Sequence, residues 1–151
     1  MNKLYINTDG GSRGNPGPAG IGVVFGDSGG GTVHSYKGCI GEGTNNEAEY
    51  KAIIKALEIL LKSKWFKENN IAEKEVICRL DSKLVVEQIN GNWKIKQDHL
   101  KVFVNEIRSM IEQMHLNISF VHIPREENEA ADKLVNEALD EQAEIKKSSQ
   151  L

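Results

Sequence analysis

The stretch Leu4-Tyr5-Ile6-Asn7-Thr8-Asp9-Gly10-Gly11-Ser12-Arg13-Gly14-Asn15-Pro16-Gly17 decides how the rest of the chain is arranged. Its first residues alternate apolar and polar, the period of a half-buried strand, and Asp9 falls where that strand ends. A carboxylate is therefore held on a rigid element. Beyond it, four glycines and Pro16 suit a turn, and they also leave bare backbone that another molecule can approach closely. Taken alone, Asp9-Gly10 reads as the start of a loop ahead of a site.

Working outward, residues 21–25 and 32–40 read as two further strands, separated by Gly26-Asp27-Ser28-Gly29-Gly30-Gly31. Connections this short make neighbouring strands antiparallel, so the chain leaves the third strand at the same end of the sheet as Asp9. There Thr44-Asn45-Asn46-Glu47 forms a capping box, with Thr44 as N-cap and Glu47 at N3, and a helix of apolar period runs to about residue 63. The box explains Glu47. It does not explain Glu49, which shares a face with Ala52, Ile53, Ala56, Leu57 and Leu60 and is costly there unless paired or led out to water.

Residues 65–75 are charged and show no clear period. Residues 76–80 form a strand reached through a helix, hence parallel to the first, and Asp81 lands at its upper end. Asp81 reads equally well as the N-cap of the short helix that follows. A helix from Asp98 to Met114, a strand over 117–123 ended by Pro124, and a helix from about 126 into the 140s complete the pattern. Asp132 borders the apolar stripe of that last helix, formed by Ala131, Leu134, Val135, Ala138 and Leu139. The polar stretch 144–151 is expected to fray.

At 151 residues, 39% hydrophobic and 27% charged, the chain suits one domain with one core, residues 1–143, followed by the polar tail 144–151. It shows no signal-type apolar segment and no apolar run near the roughly 20 residues that span a bilayer. A cytoplasmic protein without a membrane segment is the expectation. Cys39 and Cys78 lie outside any zinc or disulfide spacing and read as small buried side chains. A net charge of -3 argues mildly against a broad basic nucleic-acid face, unless the negative charge is gathered where cations cancel it.

The topology does gather it. Asp9 and Asp81 cap parallel strands, Glu49 starts a helix at that end, and Asp132 lies in the helix leaving the last strand. Clefts beyond the carboxyl ends of strands are where open α/β sheets bind ligands. Acids converging there repel one another unless cations are present, and an oxygen-only donor set suits Mg²⁺, with Mn²⁺ as its substitute. Two such ions about 4 Å apart can activate water and stabilise the leaving oxygen in phosphodiester cleavage.

Thr8-Asp9-Gly10-Gly11 with Gly14-Asn15-Pro16-Gly17, Thr44-Asn45-Asn46-Glu47-Ala48-Glu49, Leu80-Asp81-Ser82, and His122 followed by Glu127-Asn128-Glu129-Ala130-Ala131-Asp132 together resemble ribonuclease H of the type 1 family, from about Lys3 to Leu139. The resemblance implies an α/β fold, a ribonuclease H-like mixed five-stranded sheet of three antiparallel strands then two parallel ones, flanked by helices. It implies an endonuclease that hydrolyses the RNA strand of RNA/DNA hybrids with two metal ions, leaving 5′-phosphate and 3′-hydroxyl ends. The family's metal-binding acids fall on Asp9, Glu49, Asp81 and Asp132, and its assisting histidine on His122, although Ile123-Pro124 replaces the usual glycine-bearing loop there. Hybrid contacts fall on Gly10, Arg13, Asn15, Thr44, Asn45, Asn46 and Lys83.

The lysine- and tryptophan-rich protrusion of some members is reduced to Trp93, Lys94 and Lys96, which implies weaker, more salt-sensitive binding. Trp93 by itself reads as core packing ahead of a nucleic-acid contact. No obligate protein partner is indicated, and a monomer is expected. The alternatives are a nuclease of the same fold acting on DNA or double-stranded RNA, and a non-catalytic hybrid-binding module, for which four acids would be an unneeded cost.

Overall fold

The computed structural model describes residues 3–149. Five strands, β1 (Lys3–Ser12), β2 (Gly17–Asp27), β3 (Thr32–Gly43), β4 (Glu75–Leu80) and β5 (Asn117–His122), form one sheet in the order β3-β2-β1-β4-β5. β2 pairs antiparallel with both β1 and β3, whereas β4 is parallel to β1 and β5 is parallel to β4. The mixed sheet expected from loop lengths is the one observed.

Helices cover both faces. Even positions of β1 and β4 point to a core shared with α1 (Asn45–Lys62), α3 (Lys83–Ile89) and α4 (Asp98–Met114). Leu4, Ile6, Val76 and Leu80 from the sheet meet Tyr50, Ile53, Leu57, Val85 and Ile107 from the helices, all fully buried. On the opposite face α5 (Glu129–Ser149) lays Ala131, Val135, Ala138 and Leu139 against the β2 side of the sheet.

Two glycines set how closely these helices sit. A Cβ on Gly10 would lie 2.3 Å from the Ala48 carbonyl and 2.6 Å from the Glu49 nitrogen. A Cβ on Gly22, the cross-strand partner of Asp9, would lie 2.4 Å from the Ala131 oxygen. Both contacts are to helix backbone, so a side chain at either position has to push a whole helix outward.

Several expectations need correction, and one stretch without an assignment takes shape. The segment 65–75 is ordered, with α2 (Lys64–Glu68) and a 3₁₀ turn (Ile71–Glu73) burying Phe66 and Ile71 in the core. Its two apolar anchors are five residues apart, too few to show a period. Helix α5 starts at Glu129, after a 3₁₀ turn over Arg125–Glu127, and it does not fray at 144 but runs to Ser149. Good helix formers and the cations Lys146 and Lys147 at the negative end of the helix dipole favour that extension. Gln150 and Leu151, also expected to fray, lie outside the described residues. Cys39 is exposed at the sheet edge, its thiol 3.2 Å from the Ala138 carbonyl, while Cys78 is buried as expected. Trp93 is 44% exposed rather than packed in the core.

Candidate active site

Side-chain alternation along the strands aims the acids. Asp9 and Asp81 continue the odd-numbered positions of β1 and β4, and so emerge on the α5 side of the sheet. Glu49 comes around from the α1 side, carried in by the close approach of α1 to Gly10. A carboxylate oxygen from each of Asp9, Glu49 and Asp81 falls within 4.8 Å of the others. Asp132, one turn into α5, lines the same cleft of about 480 Å³.

The local alternatives for these acids are resolved by what does their jobs instead. Ser82, not Asp81, caps α3, its hydroxyl accepting from the Val85 N–H at 3.3 Å. Glu47 closes the capping box, accepting from the Thr44 N–H at 3.1 Å while Thr44 Oγ1 accepts from the Glu47 N–H. Glu49 takes no part in the cap and is not led out to the surface, being only 7% exposed at the cleft.

Burial and mutual repulsion distort the titration of this cluster. Asp9 is pushed up to about 7, first by burial and then by the charge of Asp81. Burial, then the charges of Asp9 and Asp81, lift Glu49 well above the ordinary carboxylate range, with the Gly10 N–H pulling the other way. One Glu49 oxygen, Oε2, is buried without a hydrogen-bond partner among the described residues. Three converging carboxylates, one of which carries an orphaned buried oxygen, fit a hard divalent cation.

The expected substrate contacts divide into two groups. Gly10, Arg13 and Asn45 line the cleft with the acids. Gly10 is buried, and the space its missing side chain leaves is filled by α1 rather than left for a ligand. Arg13 is held back by α5 through an ion pair to Asp140 at 2.7 Å and a bond to the Asn136 carbonyl. Asn45 Oδ1 accepts from the Ser12 N–H at 2.9 Å, and Asn15 Oδ1 accepts from the Asn45 N–H at 3.0 Å. Because each oxygen faces a backbone donor, the amide orientation is fixed, and each NH₂ is left without a partner among the described residues.

Asn15, Thr44, Asn46, Lys83 and His122 do not line the cleft itself. Thr44 and Asn46 belong to the start of α1, and the Lys83 ammonium lies 5.9 Å from the centre of the Trp93 ring. His122 is exposed at the end of β5, paired with Leu80, the residue before Asp81. Three cleft residues escaped the sequence reading: Ser12, Arg125 and Asn136. A fourth, Asn128, is completely buried behind the cleft and bonded to Asp81. It stands in the 127–132 motif without a role of its own, it looks like an N-cap before α5, and its side-chain partners lie far away in the chain, so no local pattern assigns it one.

Residues 7–138 match the family model described as reverse transcriptase-like. A ribonuclease H1 isolated from compost superposes with a TM-score of 0.86 at 48% identity, over 95% of this chain and 99% of that one. The same protein has been solved in complex with an RNA/DNA hybrid, again at 0.86 and 48%, over 93% and 99% of the two chains. The bifunctional protein Rv2228c of Mycobacterium tuberculosis is 41% identical over 144 residues, 94% of this chain. Ribonuclease HI of Halobacterium salinarum is 39% identical over 139 residues, 92% of this chain. The chain spans 37% of the mycobacterial relative's length and 65% of the halobacterial one's. The sheet order and the acidic cleft place the chain in the ribonuclease H-like class of α/β domains. Within that class it belongs to the ribonuclease H type 1 family.

Proposed function

We propose that this chain is an endonuclease that hydrolyses the RNA strand of RNA/DNA hybrids. The observation carrying this is the trio Asp9, Glu49 and Asp81, with an orphaned Glu49 oxygen, at the floor of an open cleft. The hybrid complex of the 48% identical relative supports the substrate class.

Asp9, Glu49, Asp81 and Asp132 would hold divalent cations, Mg²⁺ or in its place Mn²⁺, two per site. When bound, they supply Lewis acidity and a water ionised near neutral pH. The chain's own residues do the rest. The free NH₂ groups of Asn15 and Asn45, with Asn46 and the Gly11 to Arg13 backbone, read the shallow groove where RNA 2′-hydroxyls lie. Thr44 and Lys83 meet phosphates. His122, exposed one strand beyond Asp81, takes a proton from the attacking water or gives one to the departing 3′-oxygen. Water oxygen adds to phosphorus as the P–O3′ bond breaks, leaving 5′-phosphate and 3′-hydroxyl ends. The chain works as a monomer in the cytoplasm; among the described residues no helix is long and apolar enough to cross a membrane.

The test is incubation with Mg²⁺ and a labelled RNA/DNA hybrid, alongside DNA/DNA and RNA/RNA duplexes and an Asp9→Asn control. Cleavage confined to the hybrid's RNA strand, abolished in the control, is the expected result. Comparable cutting of DNA/DNA overturns the substrate assignment, and full activity of Asp9→Asn overturns the site.

A further inference from the structure

We propose that Asn128 is a positioning residue for the acidic cluster, one buried amide that ties the Asp81 carboxylate and the start of α5 to the end of β1. The inference rests on the reading of the cluster as a divalent-cation site and adds what holds that site in register.

Asn128 is 0% exposed, and both ends of its side chain are engaged. Its NH₂ donates to the Thr8 carbonyl at 2.9 Å and to Asp81 Oδ2 at 3.4 Å. Its Oδ1 accepts from the Asn7 NH₂ at 3.2 Å, and Asn7 Oδ1 accepts in turn from Arg79 Nε at 2.9 Å. The Arg79 guanidinium lies 4.5 Å from the centre of the Tyr5 ring. The main-chain carbonyl of Asn128 accepts from the Asp132 N–H at 3.1 Å, the first turn of α5. One residue therefore touches Asp81 directly, fixes the height of Asp132, and bonds the carbonyl of the residue before Asp9.

The polarity of the chain of bonds carries the argument. A guanidinium can only donate and does not lose its proton. The Asn7 atom facing Arg79 must therefore be oxygen, so its NH₂ faces Asn128. The Asn128 atom it meets must be oxygen too, which leaves the Asn128 NH₂ facing Asp81. A flipped amide would set oxygen against a carboxylate oxygen. Arg79 and Asn7 thus fix, at a distance, that a donor occupies one Asp81 oxygen, so that the Asp81 carboxylate meets the cleft in one orientation. Partners of this kind behind a cation site are worth about 10- to 100-fold in affinity.

The test measures the melting temperature of the wild-type chain, Asn128→Ala and Asn7→Ala as MgCl₂ is raised, and hybrid cleavage at the same concentrations. Binding to the folded state alone raises the melting temperature along a saturable curve. For Asn128→Ala the Mg²⁺ midpoint is expected to rise about tenfold or more. Cleavage lost at low Mg²⁺ should return with excess Mg²⁺, with KM for the hybrid within about twofold, since none of these groups reads the substrate. Asn7→Ala acts on Asp81 only through Asn128, and is expected to shift the midpoint the same way by about threefold. A purely structural amide lowers the metal-free melting temperature and leaves the midpoints where they were, and that result overturns the positioning role. Should Asn128→Ala show no cooperative melt, Asn7→Ala decides alone by the same criterion. A wild-type chain that neither responds to Mg²⁺ nor cleaves the hybrid overturns the reading of the cluster, and the positioning role falls with it.

Discussion

Glu49 lies two positions after Glu47, and over that interval a helix turns about 200°. One carboxylate consequently closes a cap in contact with water, and the other is buried beside Asp9. That division was readable without coordinates, because a capping box has a fixed spacing and an acid on an apolar stripe has no local reason to be there. Glutamine serves at N3 nearly as well as glutamate. Glu47→Gln should keep hybrid cleavage within about threefold of wild type and cost well under about 1 kcal/mol of stability. Glu49→Gln should lose at least about 100-fold in cleavage, since even partners behind a cation site are worth 10- to 100-fold, while melting no lower than wild type without metal. Equal losses in the two variants, in parallel kinetic and thermal measurements, would sink the helix-face assignment. Asn128 marks where such reading stops. Its side-chain partners Asn7, Thr8 and Asp81 lie on β1 and just past β4, and only the folded sheet brings them to it.

At the scale of elements, periodicity and loop length were enough for the sheet, since short connections impose antiparallel neighbours and a helical crossover returns the chain parallel. What they do not carry is distance. The seating of α1 on β1 depends on an absent side chain at Gly10, and the sequence reading assigned that glycine to substrate approach instead. A Cβ there would overlap the backbone of Ala48 and Glu49. Gly10→Ala therefore forces α1 outward and takes Glu49 with it. Overpacking of this kind typically costs about 1–3 kcal/mol, with backbone contacts at the upper end. Denaturant unfolding should show that loss, and the Mg²⁺ response of the melting temperature should weaken as well. A stable Gly10→Ala chain with an intact Mg²⁺ response would mean that the helix can give way at no cost to the cluster. The start of α3 offers a contrasting case, where Lys83 extends over the exposed Trp93 ring. Lys83→Ala should raise KM for the hybrid and reduce the slope of log affinity against log salt by about one, the signature of a single lost phosphate contact. An unchanged slope would remove Lys83 from the interface.

For the molecule as a whole, gathering acids at one end of the sheet makes stability depend on pH in a direction opposite to that of most carboxylates. Asp9 is held at about 7, against an ordinary value of 3.8. Below pH 4 it is protonated folded or unfolded and contributes nothing. Between those values the folded chain keeps a proton that the unfolded chain has released, so raising the pH favours unfolding, by up to about 1.4 kcal/mol per pH unit for one such group. Glu49, also raised, acts in the same sense. Glu47, lowered by the Thr44 N–H, acts in the opposite sense, its contribution being lost as pH falls into the acid range. The metal-free protein should therefore melt highest in the mildly acidic range, and its melting temperature should fall steadily from about pH 5 to beyond pH 7. Saturating Mg²⁺ should flatten that fall, because a bound cation stabilises the ionised acids. Asp9→Asn should flatten it without any metal, because the amide has no proton to release. Thermal melts of both chains across this range, with EDTA or with Mg²⁺, separate the outcomes. A wild-type melting temperature that stays level from pH 5 to 8 in EDTA, or an equally steep fall in Asp9→Asn, would show that repulsion among these carboxylates is not what the fold has to overcome.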